Sequence, residues 1–202
     1  MSASQSNVDF WFDPVCPYTW LTSRWIREVE RVRGVTVRWR VMSLSVLNED
    51  LDVDPEDPEG QWGDYMRGPG RVCAAVSGRY GNEALGRYLD ALGVRLHERG
   101  EWDGAERALV DAGLPTELAA VAWTREYDAA VRSSHERGIA LVGPDVGTPV
   151  LSVPGAGAVF GPVVSPAPKG EAAGRLWDGV VLMAGVQGFC EVKRAYGDLD
   201  FG

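Results

Sequence analysis

The feature that most constrains the fold is a strand–helix–strand pattern in the first 43 residues. Two segments, residues 8–12 and 35–41, alternate in polarity with the period of two that is typical of strands. Between them apolar residues recur at helical spacing, namely Leu21, Trp25, Val29 and Val32, and Gly34 follows as a suitable helix end. Because the connection is short, the pattern predicts two parallel strands joined by a right-handed helical crossover.

The middle of the chain differs in character from both ends. Residues 48–70 are acidic and rich in proline and glycine, which predicts a surface loop, and residues 71–142 carry only helical patterns. Strand patterns resume at 148–153 and 158–160 as a hairpin, and a last helix follows Pro168. We therefore predict an α/β protein: a thioredoxin fold formed by residues 1–47 and 143–202, with an all-helical domain, residues 48–142, inserted into it.

Charge and composition exclude several classes of function. The 202 residues carry a formal net charge of −9, which disfavours nucleic acid or an anionic membrane as a partner. No apolar run approaches the roughly 20 residues of a membrane helix, and residues 1–7 do not resemble a secretory signal, so we expect a cytoplasmic protein. Three separated cysteines and two histidines predict neither a disulfide framework nor a metal site.

Cys16 is the strongest candidate for a catalytic residue. It lies with Pro17 between the first strand and the first helix, where a proline is well tolerated and free N–H groups point at the sulfur. This position predicts a stabilised thiolate with a lowered pKa, and Thr19 is spaced to contact the sulfur as well. The alternative is a small buried apolar residue. For Cys73 and Cys190, which fall in helical patterns, a core position is the better interpretation.

A second element is Gly147-Thr148-Pro149, at the start of a later strand. In thioredoxin-like folds this X–Pro bond is cis and lies beside the cysteine, which would leave the Thr148 backbone free to pair with a ligand. We therefore assign Thr148 and Pro149 to the substrate site.

With both elements in place, the chain resembles the DsbA-like family, and within it the mycothiol-dependent reductases of the nitroreductase group. The stretches that carry the resemblance are 9–14, 20–25, 41–44, 145–149, 160–163 and 174–178. The resemblance implies a DsbA-like fold, no bound cofactor, and mycothiol or another low-molecular-weight thiol as co-substrate. The family motif is Cys-Pro-Trp-Cys, whereas this chain has Tyr18 and Thr19 at its last two positions. Without a second cysteine there, Cys16 cannot form the internal disulfide that resolves an adduct.

Three functions are compatible with this motif. In a monothiol reductase, a small thiol resolves the adduct formed on Cys16. In an isomerase, the Cys16 thiolate adds reversibly to a conjugated double bond, as the scaffold of related isomerases suggests. In a non-catalytic binding module, half of the motif has been lost. For all three we expect a small-molecule or carrier-bound ligand, and a homodimer is compatible with the sequence.

Several other residues are candidates for the substrate site. Trp11, Tyr18, Trp20 and Trp62 could line an aromatic groove next to Cys16, although Trp11 and Trp20 could equally pack the seam between the sheet and the insertion. His135 is a candidate proton donor, with a surface position as the alternative, and His97 is interpreted as structural. A thiol ligand could also pair with Asp13 or Asp145.

Overall fold

The protein is built on a four-stranded mixed sheet with the strand order β2-β1-β3-β4. The computed structural model describes residues 7–55, 57–195 and 197–201. β1 (Asn7–Phe12) and β2 (Thr36–Val41) are parallel, whereas β3 (Val150–Val153) runs antiparallel to both β1 and β4 (Gly157–Phe160). The predicted strand–helix–strand unit and the predicted hairpin are therefore confirmed.

The helices in the described part of the chain are α1 (Pro17–Arg33), α2 (Leu44–Leu47), α3 (Gly63–Gly93), α4 (Ala105–Asp111), α5 (Asp128–Val142) and α6 (Gly170–Ala184). α3 continues into a π-helical segment, Val94–Glu98, and a 3₁₀ helix covers Thr116–Trp123. Every residue from 71 to 142 is described and none lies in a strand, as predicted. The division into two domains at residues 47/48 and 142/143 stays a prediction.

The main hydrophobic core runs without a break from the sheet and α1 into the helices of the insertion. Phe10 and Phe12 of β1 project to the face where Trp25 of α1 is buried, and both contact Trp39 of β2 edge to face. α6 packs against α1 through Trp177, which lies 6.3 Å from Trp25 between ring centroids. α1 ends at Gly34, whose φ of 62° is the left-handed conformation that glycine adopts without steric cost.

The insertion is attached to both the edge and the second face of the sheet. Asn82 of α3 accepts a hydrogen bond from the Trp39 N–H and donates one to the Val37 carbonyl, which covers the open edge of β2. On the second face, Trp11 donates a hydrogen bond of 2.9 Å to the Ser134 carbonyl of α5. None of the helices described here is long and apolar enough to cross a membrane.

The loop predicted for residues 48–70 is too long, because α3 already begins at Gly63. Glycine and proline are frequent in this stretch, and their local preference for loops misled the prediction. At Gly68 the structure gives a packing reason instead: an added Cβ would lie only 3.2 Å from the Cβ of Ala122. The small residue allows α3 and the 3₁₀ helix to approach closely.

Candidate active site

Cys16 forms the N-terminal cap of α1, directly after the turn that ends β1. Its N–H donates to the Asp13 carbonyl at 3.2 Å, which closes the turn, and its carbonyl accepts the Trp20 N–H at 3.1 Å, which begins the helix. Pro17 occupies the first helical position and is partly exposed, as is Tyr18. The chain therefore places Cys16 at the helix end that the sequence predicts.

The predicted lowering of the Cys16 pKa is wrong. The side chain is only 8% exposed, and this burial raises the pKa of the thiol above its ordinary value. The Thr19 hydroxyl and the backbone N–H groups of Thr19 and Tyr18 lower the pKa of the thiol, but they do not outweigh burial, and the nearby Asp13 carboxylate raises the pKa further. The resting state at neutral pH is therefore the thiol. The sequence predicts that Cys16 lies at the start of a helix, but it does not predict how deeply the folded protein buries the sulfur.

Two buried threonine hydroxyls connect the first turn of α1 to the loop that precedes β3. The Oγ1 atoms of Thr19 and Thr148 are 3.0 Å apart, and Thr148 Oγ1 accepts the Asp13 N–H at 3.2 Å. The Thr148–Pro149 peptide bond is cis. Either threonine hydroxyl can donate to the other, and Thr148 Oγ1 also accepts from the backbone, so the buried pair is hydrogen-bonded inside the protein.

The Asp13 carboxylate holds the turn from inside the protein. Asp13 is 3% exposed, and its two oxygens accept the N–H of Val15 at 2.9 Å and the N–H of Leu44, at the start of α2, at 2.7 Å. Both carboxylate oxygens are thus engaged by the backbone. Asp13 fixes the Cys16 turn to the end of β2, and its pairing with a thiol ligand stays a prediction. Asp145 is exposed.

The tryptophans do not form a groove around Cys16. Trp20 is 2% exposed and packs on Gly93 at the end of α3, while Trp11 is 5% exposed and packs on Gly138 of α5. The alternative interpretation, that both pack the seam between sheet and insertion, is correct. Trp62 is 54% exposed and contacts Tyr65 edge to face at 5.8 Å.

His135 is buried, so the interpretation as a surface histidine is wrong. The residue is 5% exposed, and burial lowers the pKa of its imidazole. Its Nδ1 faces the Ser43 N–H at 3.5 Å, a long contact that makes Nδ1 the acceptor. His135 lines a cavity of about 380 Å³ between α2 and α5, together with the paired Glu49 and Arg132. Neither Cys16 nor Thr148 lines this cavity, so His135 is not placed as a proton donor to the sulfur.

The other two cysteines have different environments. Cys73 is fully buried, as predicted, and burial strongly raises the pKa of its thiol. Cys190 is exposed, and its thiol contacts the Gly188 carbonyl at 3.6 Å. The prediction of a core position for Cys190 is wrong because α6 ends at Ala184, before the cysteine is reached. All three cysteines are free.

Comparison with known proteins assigns the chain to a family. Residues 15–194 match the family described as Rv2466c-like, the mycothiol-dependent nitroreductase Rv2466c. The chain is also 36% identical over 196 residues to the uncharacterized protein Rv2286c of Mycobacterium tuberculosis, a match that covers 94% of this chain and 82% of that protein. The protein belongs to the Rv2466c-like family. As a member, it is a thiol-dependent enzyme, and the resemblance stated from the motifs is confirmed.

Solved structures show the fold independently. A 2-hydroxychromene-2-carboxylate isomerase superposes with a TM-score of 0.61 at 13% identity, covering 88% of this chain and 94% of that one. A Streptomyces coelicolor protein described as a probable DsbA oxidoreductase gives 0.56 at 17% identity, covering 95% and 94%. At these identities the likeness concerns the fold alone, and it confirms the predicted DsbA-like thioredoxin fold.

Proposed function

We propose that this protein is a monothiol, mycothiol-dependent oxidoreductase that works through Cys16. The observation that carries the proposal is that Thr19, buried in the first turn of α1, occupies the position where the motif of related enzymes has a second cysteine, and its hydroxyl favours the Cys16 thiolate. Cys73 is enclosed in the core, Cys190 is exposed, and neither forms a disulfide with Cys16 in this structure. In this proposal a thiol from solution therefore resolves the adduct on Cys16, the step that a second cysteine performs in related enzymes.

The reaction that fits one protein sulfur is reduction of a mixed disulfide by exchange. Cys16 attacks the mycothiol sulfur of a mixed disulfide, a new S–S bond forms to Cys16, and the released substrate thiolate takes up the proton that Cys16 loses. A second mycothiol then attacks the mycothiol sulfur of this adduct, Cys16 leaves as the thiolate and regains a proton. In the net reaction one free mycothiol is consumed: the substrate half of the mixed disulfide leaves as a thiol, and its mycothiol half is joined to the free mycothiol as mycothiol disulfide.

The contacts around the sulfur support both steps. Burial raises the pKa of Cys16, so the thiol form is favoured at neutral pH, which limits loss of the nucleophile to unrelated oxidants. The donors from Thr19 and Tyr18 stabilise negative charge on the sulfur, both when it attacks and when it leaves. Because Thr19 and Thr148 are buried and fully hydrogen-bonded, these donors need little reorganisation during the reaction.

A second candidate is a double-bond isomerase that works by reversible addition of Cys16 to a conjugated substrate. One observation favours it: with Thr19 beside the sulfur, an added substrate cannot be diverted into an internal disulfide, so the nucleophile persists through many turnovers. In this case the thiolate adds to the double bond, the resulting single bond rotates, and the thiolate is expelled again. No mycothiol is consumed.

Intact-mass measurement separates the two candidates. The protein is exposed to mycothiol disulfide and then to reduced mycothiol, with Cys16→Ser as the inactive variant and Cys190→Ser as the matched control for the exposed cysteine. The reductase predicts one mycothiol adduct on Cys190→Ser, none on a Cys16→Ser/Cys190→Ser double variant, and full removal of the adduct by reduced mycothiol; a second adduct on the parent is assigned to the exposed Cys190. If Cys16 ignores the disulfide but adds reversibly to a conjugated enone, the reductase proposal fails and the isomerase is supported.

A further inference from the structure

His97 connects the helical insertion to the turn that carries Cys16. It lies in the π-helical segment that follows α3, and its Nε2 is 3.0 Å from the Pro14 carbonyl oxygen. Since a carbonyl oxygen can only accept, Nε2 carries the proton and donates. Pro14 is the second residue of the turn that the Cys16 N–H closes on the Asp13 carbonyl. Asp13 holds this turn from inside, and His97 holds it from the side of the insertion.

Aromatic rings fix the orientation of the His97 imidazole. Trp20 and Phe201 each lie 6.4 Å from it between ring centroids, inclined by 22° and 24°, and Trp102 meets it edge to face at 6.5 Å. Burial lowers the pKa of His97, against the opposing effect of the Pro14 carbonyl. A neutral ring suits these surroundings and keeps Nε2–H as the single ring donor. Trp20 is itself held by contact with Gly93, four residues before His97.

Phe201 reaches His97 from a segment that is anchored to the thioredoxin part of the chain. This segment follows α6 and has no helix or strand of its own in residues 185–195 and 197–201. The Ser165 hydroxyl donates to the Asp198 carbonyl and accepts the Asp200 N–H, both at 2.9 Å. The segment therefore extends from the loop after β4, where Ser165 lies, to the histidine beside the Cys16 turn.

We propose that His97 is a positioning residue for Cys16: its Nε2–H fixes the Pro14 carbonyl of the Cys16 turn, and Phe201 holds the imidazole in place. The inference rests on the proposed role of Cys16 and extends the active site to residues of the insertion and of the segment after α6. Loss of this anchor loosens the turn, which exposes the buried sulfur to small reagents and misplaces it for disulfide exchange.

Two substitutions of His97 separate hydrogen bonding from packing. His97→Gln keeps an N–H donor near the Pro14 carbonyl but removes the aromatic ring, and His97→Phe keeps a ring for stacking but removes the donor. Phe201→Ala weakens only the stacking and changes a partly exposed side chain. All are made in a Cys190→Ser background, so that Cys16 is the accessible thiol.

The readout is the rate of Cys16 alkylation by iodoacetamide as a function of pH, followed by intact mass, together with turnover of a mycothiol mixed disulfide. We expect His97→Phe to speed alkylation about threefold or more, as loss of one hydrogen bond of ordinary strength allows, and to slow turnover. His97→Gln should stay within about twofold of the background protein. Phe201→Ala should shift both rates in the same direction as His97→Phe, but less.

Equal alkylation rates in His97→Phe, His97→Gln and the background protein would overturn the proposal. Should both His97 variants fail to fold, an unchanged alkylation rate in Phe201→Ala would overturn it as well. The alkylation readout does not depend on turnover. If the protein reduces no mycothiol mixed disulfide, the proposed function is refuted. The alkylation rates still decide whether His97 positions Cys16.

Discussion

Replacing Thr19 with valine removes one hydrogen-bond donor to the Cys16 sulfur and leaves the size of the side chain nearly unchanged. Thr19 is fully buried, and its hydroxyl is the largest of the groups that lower the pKa of Cys16. Without it, burial is opposed only by the two backbone N–H groups, so the pKa of the thiol rises further. Solvent cannot replace the missing donor in this dry site.

The size of the effect follows from the strength of a hydrogen bond to a charged sulfur. Such a bond contributes about 1.5–3 kcal/mol, which lowers the thiolate fraction about 10- to 100-fold at a pH below the pKa. The remaining thiolate is more nucleophilic, because the logarithm of its rate constant rises by about half a unit for each unit by which the pKa of the thiol rises. The net loss in reaction rate at neutral pH is therefore about three- to tenfold.

The measurement is the pH profile of iodoacetamide alkylation in the Cys190→Ser background, with Thr19→Ser as the matched control that retains the hydroxyl. We expect Thr19→Val to react more slowly at neutral pH and to reach its plateau at a higher pH, while Thr19→Ser follows the parent. A Thr19→Val profile that coincides with the parent, or a Thr19→Ser profile that coincides with Thr19→Val, would refute the reasoning.

Two further predictions concern stability. Gly93→Ala would place a Cβ 2.1 Å from the Trp20 ring and should lower the free energy of unfolding in urea by about 1–3 kcal/mol. Gly179→Ala is the control: a Cβ there meets nothing within 4 Å, so the change should be neutral or stabilise by up to about 1 kcal/mol. Similar values for both variants would contradict the packing argument. Because burial lowers the pKa of His135, the unfolded chain binds a proton more readily than the folded protein. The stability that this residue contributes is complete above about pH 7 and is lost as the pH falls below about 6.5, the ordinary pKa of histidine. His135→Gln should show a smaller loss over this range, and an equal loss would show that His135 is not responsible.

Much of the fold could be predicted because its signals are local. The alternation in β1 and β2, the apolar spacing in α1 and the glycine at position 34 each report on a few neighbouring residues, and the structure agrees with them. The start of α3 could not be predicted in this way. Gly68 favours a loop locally, but its contact with Ala122, 54 positions away, makes a close-packed helix possible.

The candidate site was predicted where the chain itself brings groups together, and missed where distant segments do so. Cys16, Pro17 and Thr19 follow from the start of one helix. The amount of protein over Cys16 comes from the whole fold, which is why the direction of its pKa was wrong. His97 carried no sequence signal, since only the folded insertion places it at the Pro14 carbonyl, 83 positions away.

The central claim is that one protein sulfur suffices for turnover. It is tested most directly by steady-state reduction of a mycothiol mixed disulfide by a Cys73→Ala/Cys190→Ser double variant, compared with the parent and with Cys16→Ser. The account predicts that the double variant retains the parent's kcat within about twofold and that Cys16→Ser has none. Loss of turnover in a folded double variant would show that a second protein cysteine resolves the adduct, and would contradict the account.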